Sequence, residues 1–286
     1  MSGASDISGT LLCRDRPLDL RQRTAVMGVL NVTPDSFSDG GAYPSTDAAV
    51  KKALEMVRDG ADIIDVGGES TRPATVYGGS TAVSAEEELR RVLPVIERLA
   101  VESDVLISID TTKSAVADAA LKAGAHIVND ISGLTFDPAI ASVAAAHGAA
   151  LVVMHIQGTP ETMQIAPYYE NVVAEVKESL AASVAAARKA GVTSIIIDPG
   201  IGFGKETEHN LSLLRHLSEF RALGCPILIG TSKKGFIGKV LGLPVQERLE
   251  GTAASVAVAV MNGASIVRVH DVKEMKRVVR MTDAIL

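Results

Sequence analysis

One unit keeps returning along this chain, and it limits the folds open to it. A helical stretch ends at glycine, an alanine or valine usually follows, then come a few aliphatic residues and a polar one. The unit appears as GADIIDVGG from Gly60, GAHIVND from Gly124, GAALVVMH from Gly148, GVTSIIIDPG from Gly191 and GASIVRVH from Gly263. A glycine just past a helix supplies its left-handed stop. The short apolar run that follows reads as a strand buried on both faces. Three more runs lack the lead-in: Ala25 to Leu30, Val105 to Ile109 and Pro226 to Ile229. Eight strands then alternate with helices expected over 47–59, 84–101, 112–123, 137–147, 168–190, 206–222, 234–262 and 272–284. Asp47 and Asp137 fit helix N-caps, and Ser84 with Glu87 fits a capping box.

Eight alternations in about 250 residues predict an α/β chain folded as a single (β/α)8 TIM barrel, with long loops after strands 1 and 2. An open doubly wound sheet is the next arrangement in line. Composition agrees with the barrel. Hydrophobic residues make up 47% of the chain, aromatics only 3%, and Trp is absent, so the core has to be Ala, Val, Ile and Leu. That is the material of a parallel sheet covered by Ala-rich helices. No Pro/Ser-rich linker or charge block divides the chain. Residues 1–23 read as an N-terminal lead with room for a small hairpin, and 24–286 as the barrel.

The net charge of -6 argues against a general nucleic-acid binder. The N-terminus has neither the pattern of a secretory signal nor that of a membrane span. Two cysteines with no disulfide or metal spacing fit a reducing, cytoplasmic setting. Cys225, ahead of Pro226 and an apolar run, reads as a buried inert thiol.

Barrel enzymes carry their chemistry at the C-terminal ends of the strands. That position holds Asn31, Asp65 (with Glu69 to Arg72 beyond it), Asp110, Asn129 with Asp130, His155, Asp198, Ser232 to Lys234, and Arg268 with His270. Capping explains any one of these but not the full rim. Amides and carboxylates suit a ligand edge rich in N–H donors. Arg72, Lys234, Arg268 and His270 suit a leaving anion or a ligand carboxylate. His155 reads as a packing or rim histidine. No HExxH or CxxC signature of zinc is present. The long stretches Thr33 to Thr46 and Gly67 to Ser84 read as lids or binding loops. DPGIGFGK (Asp198 to Lys205) misses the P-loop spacing and reads as backbone space for a flat ring beside Asp198.

These motifs together resemble the dihydropteroate synthase family. The stretches are MGVLNVTPDSFSDGG (Met27 to Gly41), DVGGESTRP (Asp65 to Pro73), SIDTTK (Ser108 to Lys113), VNDISG (Val128 to Gly133), VVMHIQGTPETMQ (Val152 to Gln164), IIIDPGIGFGK (Ile195 to Lys205), TSKKGFIG (Thr231 to Gly238) and RVHDV (Arg268 to Val272). They stand in the family's order and span nearly the whole chain. The resemblance implies that (7,8-dihydropterin-6-yl)methyl diphosphate condenses with 4-aminobenzoate to give 7,8-dihydropteroate and diphosphate, with Mg2+ assisting. This is a step of folate biosynthesis and the target of sulfonamides. It further implies a homodimer.

Roles carry over by position. Asp198 and Asn129 are implied to grip the pterin edge, Asp110 to meet the other side of that ring system and Met154 to line the slot. Lys234 would hydrogen-bond the pterin and cover the 4-aminobenzoate site. Arg268 would stack on the pterin and, with His270 and Asn31, meet the diphosphate, Asn31 also ligating Mg2+. Thr71, Arg72, Pro73 and Phe203 would frame the 4-aminobenzoate pocket. Lys233 stands where the family usually has Arg, and Gly235 where it often has Ser, which bears on carboxylate affinity rather than on the reaction. A pterin-binding methyltransferase and a non-catalytic pterin-binding paralogue are the competing readings. The apolar stretch Thr252 to Met261 serves a core or an interface equally well.

Overall fold

The computed structural model describes residues 9–21, 23–33, 45–69 and 83–286. The chain opens with an antiparallel hairpin of β1 (Thr10–Cys13) and β2 (Arg16–Asp19). Eight parallel strands follow: β3 (Ala25–Asn31), β4 (Ile63–Gly67), β5 (Leu106–Asp110), β6 (Ile127–Asp130), β7 (Ala150–Met154), β8 (Ile195–Asp198), β9 (Leu228–Ile229) and β10 (Ile266–Val269). They pair in the order β8-β7-β6-β5-β4-β3-β10-β9. A parallel bridge between Ile197 and Ile227 joins the two ends, with Ile197 N donating to Pro226 O at 3.0 Å. The ring is therefore a closed barrel.

The helices among the described residues are α1 (Thr46–Arg58), α2 (Ala85–Glu102), α3 (Ser114–Lys122), α4 (Ala139–Ala146), α5 (Val172–Lys189), α6 (Thr207–Arg215), α7 (Gly235–Leu241), α8 (Leu249–Met261) and α9 (Val272–Ile285). Four departures from the sequence expectation have local causes. The expected helix 234–262 is two helices, because Gly242 caps α7 in the left-handed region (φ 69°) and Pro244 follows. The stretch 206–222 tightens after Arg215 into a 3₁₀ segment, Leu217–Leu223. The stretch 168–190 becomes helical only at Val172, where Asn171 supplies the cap. Ser45, not Asp47, caps α1, accepting from Ala48 N at 3.3 Å. Asp137 lies just ahead of α4 and accepts from Ala139 N and Ser114 N, tying two helix starts together. Ser84 accepts from Glu87 N as the capping box requires, whereas the Glu87 side chain turns to Arg90 and Arg91.

Side chains two apart in a strand share a face, so the strands sort into two cores. One set packs outward against the helices: Val26, Ile64, Ile107, Val128, Leu151, Ile197 and Val267. The other fills the barrel: Met27, Ile63, Leu106, Ile127, Val152, Ile196, Leu228 and Ile266. Leu11, Cys13 and Leu18 of the hairpin belong to the inner core, so the hairpin plugs the floor. Arg14 locks it there, donating to Leu121 O and Ala125 O at 2.8 Å. Burial pushes the Cys13 thiol up to about 12, making it inert. Cys225 is only partly buried, less than its apolar neighbourhood predicts, and its thiol is likewise raised by desolvation. No described helix is long and apolar enough to cross a membrane.

Leu18 is 3% exposed. Leu18→Ala should lower the unfolding free energy by about 2–5 kcal/mol in urea titrations and leave ligand binding at the opposite end of the barrel unchanged.

Candidate active site

Following each inward column toward the C-terminal rim shows where the core stops being apolar. Ile63 is followed by Asp65, Leu106 by Ser108 and Asp110, Ile127 by Asn129, Ile196 by Asp198, and Ile266 by Arg268 and His270. On β3 the column ends at Asn31, and on β7 at Met154. The two-residue step thus places Asn31, Asp65, Asp110, Asn129, Met154, Asp198, Arg268 and His270 around one mouth. Asp130 and His155 have the opposite parity. Asp130 serves its own loop, accepting from Ser132 N, Ser132 Oγ and Leu134 N.

Arg268 ties the mouth together. Its Nε donates to Asp65 Oδ2 and its Nη2 to Asp110 Oδ2, each at 2.6 Å. Asn129 Nδ2 donates to the same Asp65 oxygen at 3.0 Å. Asp65 is fully buried, and its Oδ1 has no hydrogen-bond partner among the described residues. Burial raises the Asp110 carboxyl, the Arg268 guanidinium pulls it back, and Asp65 pushes it up again. Beyond Asp110 lies a cavity of about 280 Å3 lined by Glu69, Glu88, Lys113, Ile131 and Phe136. Lys113 Nζ bonds Glu69 at 2.6 Å and the buried Glu88 at 2.7 Å there.

On the opposite side, Asp198 Oδ1 accepts from Gly200 N at 2.7 Å, and burial pushes the carboxyl up to about 6. Two of the three glycines that follow are spent on close backbone packing, while Gly202 faces the Lys234 side chain. Gly200 (φ 71°) packs so tightly on the next loop that a Cβ would overlap the His155 carbonyl. A Cβ at Gly204 (φ 63°) would likewise overlap the Gln157 carbonyl. The motif is a tight turn pressed against the β7 loop. It delivers Phe203, which packs with Met154, Ile131 and Met163. Lys234 Nζ lies 4.0 Å from the Phe203 ring centroid, a cation–π contact. Burial pulls Lys234 down to about 8, so it stays largely charged at neutral pH.

The loop after β9 is braced from β10. Ser232 Oγ accepts from His270 N at 3.2 Å and lies 3.0 Å from His270 Nδ1. Lys233 takes a positive φ of 59° and pairs with Asp271 at 2.9 Å, so it braces the loop beside Lys234. Arg248 adds a donor to the carbonyls of Lys233 and Lys234. Thr71, Arg72, Pro73 and most of both long loops lie outside the described residues.

The chain matches the family described as pterin binding enzyme over residues 27–270. It is 51% identical over 271 residues to the dihydropteroate synthase of Bacillus subtilis (strain 168), covering 94% of this chain and 91% of that protein. It is 50% identical over 270 residues to that of Synechocystis sp., covering 93% and 92%. Among solved structures, dihydropteroate synthase from Xanthomonas albilineans in complex with 7,8-dihydropteroate superposes with a TM-score of 0.86 at 40% identity, covering 96% of this chain and 98% of that one. The chain belongs to the dihydropteroate synthase family.

Of the rim residues that the sequence marks, Asn31, Asp65, Asp110, Asn129, Asp198, Arg268 and His270 lie at this mouth, whereas Asp130 serves its own loop and His155 turns away as a packing histidine. The sequence reading found Asp65 but gave it no task, and it overlooked Lys113 and Ser232 as braces. The Asp65 signal was its place one step above Ile63 in an inward column. Removing the guanidinium strands two carboxylates. Arg268→Met should cost about 3–5 kcal/mol of stability at neutral pH, read by chemical denaturation. Arg268→Lys should recover only part, since one ammonium cannot fork between Asp65 and Asp110.

Proposed function

We propose that the chain joins (7,8-dihydropterin-6-yl)methyl diphosphate to 4-aminobenzoate, giving 7,8-dihydropteroate and diphosphate in folate biosynthesis. One observation carries the reading. A single mouth holds acceptors, Asn129 and Asp198, beside the cations Lys234 and Arg268 and the imidazole of His270. Because Asn129 gives its Nδ2 to Asp65, its amide oxygen is left to accept. Asp198 spends one oxygen on Gly200 and keeps the other. Two acceptors side by side match the adjacent N–H donors of an amino-pyrimidinone edge. Asp110 meets the far side of that ring system, and Met154 lines the slot.

Arg268 uses two of its five donors on carboxylates, which leaves a flat cation to stack on the pterin and donors for the diphosphate. His270 and Asn31 meet the same diphosphate. Lys234 and Phe203 frame the 4-aminobenzoate pocket, to which the family resemblance also assigns Thr71, Arg72 and Pro73. The aryl amine is unprotonated at neutral pH. Its lone pair forms the C–N bond, the methylene C–O bond breaks with its electrons leaving on diphosphate, and the nitrogen releases one proton to water. No strong general base is required, and the cations stabilise the departing charge.

Mg2+ fits the site. Gly67 has no side chain between Asn31 Oδ1 and Asp110 Oδ2, which lie 3.8 and 3.7 Å from where its Cβ would be. No described cluster of three or more His, Cys, Asp or Glu forms a metal cage. A cation held by Asn31 and mainly by phosphate oxygens matches how Mg2+ is usually bound. When bound, it supplies charge neutralisation to the leaving diphosphate.

A second copy of the chain is the proposed partner. A groove of about 430 Å3 runs between α6, α7 and α8, lined by Leu211, Phe236, Ile237, Leu241 and Val258. Val240, Leu241, Val258 and Met261 expose apolar side chains on two of these helices, α7 and α8, material suited to a contact between copies. We place the protein in the cytoplasm, where two unpaired cysteines persist. Sedimentation should give a dimer, and Val258→Lys should shift it to monomer; an unchanged monomer mass for the wild type would end the dimer reading.

The deciding experiment incubates the protein with both substrates and Mg2+, with and without chelator, and reads dihydropteroate by mass spectrometry. Metal-dependent product is expected. Tight pterin binding without product would favour the methyltransferase or the binding paralogue. Asp198→Asn should weaken the pterin substrate about ten- to a hundredfold through one lost charge-assisted bond, with little effect on 4-aminobenzoate. Equal effects on both would misplace Asp198.

A further inference from the structure

Lys205 is a cation where the barrel has no obvious use for one. It is 3% exposed, and its Nζ lies within hydrogen-bonding reach only of neutral groups among the described residues. It donates to Phe203 O at 2.9 Å and, more weakly, to His155 O at 3.4 Å. It lies 2.9 Å from His155 Nδ1. Below about pH 7, where Lys205 is an ammonium, it offers only donors, so His155 Nδ1 accepts and the ring carries its proton on Nε2. Burial and then the Lys205 charge hold the His155 ring far below its ordinary value, at about 3, so it is neutral. The His155 backbone N–H donates to Asp198 O at 3.0 Å, and Tyr169 Oη bonds Gly204 O at 2.8 Å over the same turn.

We propose that Lys205 is a positioning residue of the pterin subsite, whose ammonium clamps the β8–α6 turn to the neutral His155 ring and so fixes Asp198 and Phe203. The inference rests on the functional reading above. Isolated buried cations are costly, and nothing in barrel packing asks for one here. Its benefit is local to the site. Phe203, held through its carbonyl, is the ring on which Lys234 rests. The charged groups that act on Asp198 are Lys234 after β9, Lys205 in its own loop and Arg268 on β10. Lys205 in turn is pulled down to about 7 by burial, supported by Asp198 and opposed by Lys234.

A carboxylate must be ionised to accept from the pterin. With a folded pKa pushed above the ordinary range, Asp198 loses that ability as pH falls through about 6. Removing a nearby cation makes the proton harder to remove. The acid limb of the pH profile should therefore move upward, not downward.

The test is the pH dependence of kcat/KM for the pterin diphosphate in wild type, Lys205→Gln and Lys205→Arg. Gln removes the charge and keeps a side-chain donor for Phe203 O, on a side chain one atom shorter. Its acid limb should move up by about 0.5–1 unit, since one opposite charge shifts a carboxyl by about that much or more. The KM for 4-aminobenzoate should stay within about twofold, and Arg should restore the limb. A merely structural lysine would lower melting temperature and activity without moving the limb, and an unmoved limb in Lys205→Gln overturns the proposal. Imidazole 15N shifts of the wild type give a check free of variants. A His155 ring that is charged at pH 6, or protonated on Nδ1, overturns it as well. Wild-type protein that makes no dihydropteroate defeats the functional reading instead, and the 15N result still stands or falls by itself.

Discussion

In a closed parallel barrel a side chain can point only inward or outward, and the choice alternates with every residue. The site depends on that constraint. Each inward column begins as core at the hairpin-sealed end, and all but the β7 column, which ends at Met154, turn polar within a few steps. Apolar layers below hold the strands in register, and the polar layer above inherits that precision with no further device. A slip of one residue in any strand would turn its functional side chain into the helices and bring an outer-core aliphatic to the mouth. Catalytic geometry and core packing are in this sense one problem.

Polar groups gathered in a buried mouth have to be satisfied by one another until a ligand arrives. Arg268 answers most of that demand, bridging Asp65 and Asp110 while Asn129 supports the shared oxygen. The guanidinium suits the task because it stays charged under desolvation and its fork reaches two acceptors at once. Lys234 is treated differently. It rests on the Phe203 face and on no carboxylate among its described ion pairs, so its ammonium remains available to a substrate.

Much of this was legible before any coordinates. The glycine stops fixed the strand starts, and the strand ends located the polar rim from Asn31 to His270. The same alternation separates Asp198, which faces the mouth, from Asp130, which serves its own loop. The break after Leu241 was also written in Gly242 and Pro244, but the apolar run on either side masked it. Other features were beyond reach. Lys205 and His155 lie 50 positions apart, and Lys233 and Asp271 lie 38 apart. Lateral pairing of neighbouring strands, β7 with β8 and β9 with β10, brings such pairs together, and no local pattern marks them. The glycines of DPGIGFG announced a tight approach without saying what approached; it was the neighbouring loop.

The sealed floor sets the traffic of the site. With the hairpin wedged under the inner core and aliphatic layers filling the shaft, the described residues leave the barrel open only at its polar rim. Both reactants, the departing diphosphate and a product longer than either reactant all pass the same rim. If the pterin seats against Asn129 and Asp198 as proposed, it would enter ahead of 4-aminobenzoate, and its end of the product would leave last.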